Sequence, residues 1–209
     1  VDYNFGLSVK LVLPNTNERL KLLVESEDSE DAPETNALRT LDNVNYSTAL
    51  RFLVDTFDGW TTDFDAGIRW RPEPDPFVRL RARHYWYLSE WEMRTTQSFF
   101  YFTSDGWGEE TYVRMDYPLN TEKLFRIDAR AEYLLDNDYF DLAYNATLFH
   151  ELSPSSVMAY NAGATGDSAE GATFYSYYAG LRYRRQIYRN WIFAEVAPQF
   201  EWHRDNDYR

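Results

Sequence analysis

The sequence predicts an all-β chain, an antiparallel up-and-down transmembrane β-barrel with about 12 strands in its 209 residues. Three observations predict it. Apolar and polar residues alternate with a period of two in one segment after another. The apolar faces of these segments carry no Asp, Glu, Lys or Arg, although 26% of the chain is charged. Aromatic residues make up 18% of it, with 17 Tyr, 14 Phe and 7 Trp. Successive side chains of a strand point to opposite faces, so a charge-free face along a heavily charged chain is one that water does not see. No apolar run approaches the roughly 18 to 20 residues that a membrane-crossing helix needs.

Taken in order, the first segment places Tyr3, Phe5, Leu7, Val9, Leu11 and Leu13 on one face and Asp2, Asn4, Ser8 and Lys10 on the other. After a turn at Asn15-Thr16-Asn17, Leu20, Leu22 and Val24 form a second face, and the acidic stretch from Glu25 to Asn43 reads as a long loop. The third face is Val44, Tyr46, Thr48, Leu50, Phe52 and Val54. Beyond the turn Asp58-Gly59, Thr62, Phe64, Ala66, Ile68 and Trp70 alternate with Asp63, Asp65, Arg69 and Arg71. A turn from Pro72 to Pro76 leads to Val78, Leu80, Ala82, His84, Trp86 and Leu88, with Arg79, Arg81 and Arg83 between them. The sixth face runs from Trp91 to Tyr101 and, past Asp105-Gly106, the seventh from Thr111 to Tyr117. Faces from Phe125 to Tyr133, Phe140 to Leu148, Tyr175 to Tyr183 and Ile192 to Trp202 follow, with a weaker one at Met158, Tyr160 and Ala162.

A soluble barrel that binds an apolar ligand also has an uncharged face, turned inward. Strand length favours lipid: several segments run about 10 to 13 residues, against about 5 to 6 for soluble strands and roughly 9 to 11 for a tilted membrane-crossing strand. Trp70, Trp86, Trp91, Tyr101, Trp107, Tyr117, Tyr133, Tyr188, Trp191 and Trp202 fall towards segment ends. A ring with one polar edge suits the lipid headgroup boundary there. The chain reads as a single domain, residues 1–209.

The opposite face holds fourteen of the 21 basic residues and thirteen of the 34 acidic ones, so it is nearly neutral, and the net charge of -13 resides in turns and loops. Dense, balanced charge in a polar lumen implies cross-strand ion pairs. Arg69, Arg71, Arg79, Arg81 and Arg83 lie on two successive strands joined by a short turn, which places them opposite one another near one rim. They are the candidate anion-attracting cluster; the alternative is a structural ladder to acids such as Glu92 and Glu110. Asp63 and Asp65 are a lumen acidic pair expected to face Arg69. They are also similar to the paired aspartates of outer-membrane aspartyl-type proteases, but the partner Asp-x-His is missing.

Other chemistries find no footing. Without cysteine there is no disulfide, thiol catalysis or Cys-based zinc site. A negative chain offers no face to nucleic acid. His84, His150 and His203 lie on three different strands, and no His-x-Ser pair of a lipid hydrolase occurs. Asp136-Asn137-Asp138 and Asp205-Asn206-Asp207 lack the Gly and distal Glu of a calcium loop and read as turns. No catalytic residue, metal site or cofactor is expected, and the chain does not read as an enzyme.

Leu181-Arg182-Tyr183-Arg184-Arg185, Tyr188 to Pro198 and Asp205 to Arg209 together resemble the C-terminal region of uncharacterised proteobacterial outer-membrane β-barrel proteins. Leu13 to Leu20 and Asp105 to Glu110 are similar to the same group. The resemblance implies a Gram-negative outer-membrane location, porin-like, among lipid, lipopolysaccharide and other envelope proteins. In such proteins one more strand follows and ends in an aromatic residue. With the acidic loop extracellular, both ends of this chain fall outside the cell, and one further strand at each end makes 14 in the complete protein. The function expected is a passive channel, or the membrane anchor or scaffold of an envelope assembly. An outer-membrane hydrolase of protease or lipase type and the soluble apolar-ligand barrel are the alternatives.

Overall fold

A computed structural model describes residues 9–12, 20–26, 46–57, 59–169, 171–188 and 192–204. The turn at Asn15–Asn17, nearly all of the acidic stretch up to Asn43, and Asp205–Asp207 lie outside the described residues. Every described α or β element is a strand: β1 (Val9–Val12), β2 (Leu20–Ser26), β3 (Tyr46–Phe57), β4 (Trp60–Trp70), β5 (Asp75–Leu88), β6 (Trp91–Phe102), β7 (Gly106–Asn120), β8 (Lys123–Leu134), β9 (Phe140–Ser153), β10 (Ser156–Asp167), β11 (Thr173–Tyr188), β12 (Ile192–Val196) and β13 (Gln199–His203). They form one antiparallel up-and-down sheet in chain order from β1 to β12, and β13 also pairs with β11.

The expected twelfth strand is thus two short strands on one long neighbour. β11 is 16 residues long; its Tyr183–Tyr188 end pairs with β12 and its Ser176–Gly180 end with β13. Proline has no N–H to give to a ladder. Regular pairing therefore lapses at Ala197–Pro198, while the Pro198 carbonyl still accepts from the Leu181 N–H at 3.0 Å. β5 starts earlier than its apolar face suggests, because Asp75 pairs with Arg69 and Pro76 with Ile68. Of the turn signals, Gly59 and Gly106 adopt positive φ, 82° and 76°, as the Asp-Gly steps require. Asp138 also has positive φ, in the turn read at Asp136–Asp138.

The chain divides into two compact units. One takes the described residues up to Tyr85 with Thr95–Tyr112 and Glu132–Asp138; the other takes Trp86–Arg94, Val113–Ala131 and those from Tyr139 on. In the first, Leu50, Phe52, Phe64, Val78, Leu80 and Phe99 are exposed, whereas Arg51, Asp63, Asp65, Arg69, Arg81, Thr96 and Ser98 between them are buried. In the second, Tyr144, Tyr160 and Tyr177 are exposed and Asp128, Asn145, Thr147 and Ser176 buried. These faces follow the period-two parity of the sequence strand by strand. The burial is the reverse of a water-soluble fold, in which charged residues are almost never buried and large apolar ones usually are.

Candidate functional site

The charged cluster belongs to β3, β4 and β5 and to the turn before β7. Backbone register places it. Asp65 lies directly opposite Arg51 on one side and Arg79 on the other, and Asp63 opposite Arg81. The fully buried Asp65 carboxylate takes both Arg51 donors, Nε at 2.7 Å and Nη2 at 3.0 Å, and both Arg79 donors, Nε at 3.2 Å and Nη2 at 2.8 Å. Arg81 Nε stands 3.4 Å from Asp63 Oδ2, which also accepts from Arg83 Nη2. Two fully buried carboxylates are held by four guanidinium groups. Fork-shaped donors suit carboxylate oxygens, and the pairing offsets part of the desolvation both sides suffer.

A second knot forms at Arg69. Its Nε donates to Asp75 Oδ2 at 2.8 Å, and Nη2 donates to Asp75, to Ser104 Oγ at 3.1 Å and to Asp105 Oδ2 at 2.6 Å. The guanidinium carbon lies 3.5 Å from the centre of the Phe102 ring, a cation–π contact. Ser104 N–H and Oγ both donate to Asp75, so the turn before β7 is tied to the start of β5. Burial pushes the Asp105 carboxyl up, but the hydrogen bond from Ser104 and the pull of Arg69 and Arg71 outweigh it and hold the group below the usual carboxylate range.

In the second unit ion pairs stand beside a neutral network. Arg114 Nε donates to Asp128 at 3.0 Å, and Arg126 makes a two-pronged pair with Asp116 at 2.7 and 2.9 Å. Asn145 Nδ2 donates to Thr147 Oγ1 at 2.9 Å and reaches Asp128 at 3.4 Å. Asn145 Oδ1 accepts from the Tyr178 hydroxyl at 2.9 Å. That last bond skips a strand. Tyr178 is on β11, Asn145 on β9, and both stand opposite Gly163 of β10. A β-carbon at Gly163 would collide with the Tyr178 ring and hydroxyl, so only glycine lets the ring cross.

The similarity to known proteins is distant. No protein-family model and no curated protein matches the chain. Two solved structures are similar to it. One, a KdgM porin in complex with disordered oligogalacturonate, has a TM-score of 0.49 at 10% identity over 75% of this chain and 88% of that one. The other, a KdgM porin, has a TM-score of 0.47 at 8% identity over 75% and 89%.

All seven residues singled out by the sequence fall in the first unit, on the polar side of β4 and β5 or at the turn between them. Two expectations about them change. The arginines of β5 do not stand opposite those of β4: the antiparallel register sets Arg79 and Arg81 against Asp65 and Asp63, and Arg69 against Asp75. Asp63 and Asp65 accordingly meet Arg51, Arg79, Arg81 and Arg83, while Arg69 turns to Asp75 and Asp105. Arg71, at the turn, stands 3.8 Å from Asp105. Sequence reasoning passed over Arg51, Asp75, Ser104 and Asp105 as members of this site. Asp105 carried a signal, the Asp-Gly turn, but that signal speaks of backbone and not of partners. Among the described residues no group of His, Asp and Glu could hold a metal ion; His84 instead lies beside the Trp60 ring, 4.9 Å between centres.

Proposed function

We propose that the chain is a bacterial outer-membrane β-barrel acting as a passive channel, its apolar strand faces against lipid and lipopolysaccharide and its charged faces lining the interior. One observation carries the reading. Along β3 to β5, Leu50, Phe52, Phe64, Val78 and Leu80 are 38–47% exposed, while Arg51, Asp63, Asp65, Arg69 and Arg81 between them are at most 6% exposed. Apolar area left in water forgoes about 25 cal/mol per Å² of burial, and nothing in the described strands covers these side chains. A bilayer supplies that cover, and a strand set of 11 to 16 residues from β4 to β11 is long enough to cross it.

Within such an interior, Arg51, Arg69, Arg71, Arg79, Arg81 and Arg83 meet Asp63, Asp65, Asp75 and Asp105 among the described residues. Arg71 and Arg79 keep 31% and 24% of their side chains accessible. These two accessible guanidinium groups favour small anions over cations in transit. A second reading, a membrane anchor for other envelope proteins, draws support from Asp63, Asp65 and Tyr112, whose complete burial marks a filled interior.

The decisive experiment is conductance in a planar bilayer across a KCl gradient. The channel reading expects steady conductance with anion preference, and loss of that preference in Arg71→Gln/Arg79→Gln. Insertion without any conductance favours the anchor. A chain that stays folded and monodisperse without detergent removes both, as does a Leu80→Arg variant that inserts unimpaired, since an outward arginine at mid-bilayer costs roughly 2–4 kcal/mol.

A further inference from the structure

We infer that Arg185 and the groove around it, on the apolar face where β11 meets β12, bind one anionic phospholipid, its phosphate on the guanidinium and an acyl chain along the groove; the inference rests on the membrane-barrel reading. Arg185 breaks the rule that the apolar faces follow. Tyr175, Tyr177, Ala179, Leu181 and Tyr183 precede it at every second position of β11, none of them charged, and Ile187 follows. Tyr183 stands opposite Met158 and Val196, and Arg185 opposite Ser156 and Ala194. Both cross-strand neighbours of Arg185 are small, so they leave room beside it. A groove of about 350 Å³ results, lined by Tyr183, Arg185, Gln186 and Ile187 of β11 and by Ala194 and Val196 of β12.

The neighbouring arginines of β11 are provided for on the opposite face, where Arg182 stands 3.4 Å from Glu195 and Arg184 lies 4.4 Å from the centre of the Phe193 ring. Among the described residues, none gives the Arg185 side chain an ion pair or a hydrogen bond. Apolar groups flank it along the open wall, with Ile187 and Val196 each 64% exposed. A guanidinium set among such groups at a membrane boundary extends to a counter-charge at the headgroup level, and its fork of donors fits phosphate oxygens. Its position along the strand suits that level. β9 and β10 are joined by two residues and β10 and β11 by five, and Arg185 lies towards the two-residue end, since Ser156 opposite it begins β10. Short turns of bacterial barrels face the periplasm, so the groove meets the periplasmic leaflet. A zwitterionic headgroup brings its own cation to the phosphate, whereas an anionic one leaves the arginine to supply it. Charge complementarity therefore selects the anionic lipid.

The test is native mass spectrometry of protein released from nanodiscs of phosphatidylcholine with a minor share of phosphatidylglycerol, comparing wild type, Arg185→Gln, Ala194→Phe and Arg184→Gln. Wild type should retain a single phosphatidylglycerol, and Arg185→Gln should retain it about fivefold less often. Ala194→Phe keeps the charge but fills the groove, and should lose the lipid too. Arg184→Gln removes an equal charge from the opposite face and should retain the lipid as wild type does. Equal retention by the two arginine variants, retention that survives Ala194→Phe, lipids retained only in proportion to their abundance, or release of a lipid-free dimer each overturns the site. In each of these the protein has entered the nanodisc, so the membrane reading stands. Wild type that stays monodisperse in water and does not enter nanodiscs overturns both. Should Arg185→Gln fail to insert, Arg185→Lys keeps the charge and loses the fork. Retention must then fall, and an unchanged value refutes the proposal.

Discussion

The polar side chains around Asp63 and Asp65, on β3 to β5, are joined by charge, whereas those around Asn145, on β9 to β11, are joined mainly by an amide, a hydroxyl and a phenol. Around Asp63 and Asp65 every partner named is an arginine, and a single buried carboxylate serves two of them at once. Around Asn145 the partners are Thr147, Tyr178 and, at longer range, Asp128. Both arrangements satisfy side chains removed from water, but they answer differently to losing a member. A buried ion pair adds little net stability over an apolar filling, yet removing one partner strands a charge. A neutral network loses only its hydrogen bonds and the desolvation of what they leave behind. In the proposed channel the difference would also separate roles, because fixed charges act on a passing ion at longer range than amides and hydroxyls do.

The largest expected effect is therefore Asp65→Asn, which keeps the shape and removes the charge shared by Arg51 and Arg79. Unfolding from lipid vesicles by urea, followed by tryptophan fluorescence, should show a loss of about 3–5 kcal/mol. A loss under about 1 kcal/mol would mean that water reaches these arginines and that the row is not closed. Asn145→Ala should cost about 1–3 kcal/mol in the same assay. If it equals or exceeds Asp65→Asn, the contrast between charged and neutral networks fails. The smallest effect is at Asp105, which sits on a turn and is nearly a third exposed. Its carboxyl is held low in the folded chain, so its contribution is present above the ordinary carboxylate value and is lost as pH falls through the lower folded one. Wild type should exceed Asp105→Asn by at most about 1 kcal/mol at neutral pH. The gap should narrow below roughly pH 4 and close only at more acidic pH. A gap independent of pH would assign the effect to the turn rather than to the charge.

Which way each side chain points was legible because period two is a local property. Phe64 beside Asp65, or Leu80 beside Arg81, can be assigned with no knowledge of any other strand. Which acid meets which arginine was not, because that depends on where the turn after Trp70 ends. With Asp75 opposite Arg69, every later pair on β5 is fixed, and an acid faces each of Arg79 and Arg81. The reverse case, apolar residues with polar-face parity, leaves no mark on the charge-free faces. Phe77, Phe100 and Phe102 are unremarkable in an aromatic-rich chain until adjacent strands bring them together. The break at Ala197–Pro198 was visible as a proline, but its effect depends on whether the missing N–H faces a neighbour.

The ring of Tyr178 lying across Gly163 has a mechanical consequence. Backbone ladders resist being pulled apart, yet a strand that slides along its neighbour by two residues recovers the same bonds with the same faces exposed, so a regular sheet is soft in shear. A tie from β11 to β9 that passes over β10 runs across the direction of sliding. A two-residue slip of β10 brings Asn161 or Thr165, each with a β-carbon, under the ring, and any slip of β9 carries Asn145 away from the hydroxyl. Three strands are pinned by one side chain, like a diagonal brace that keeps a rectangular frame from leaning.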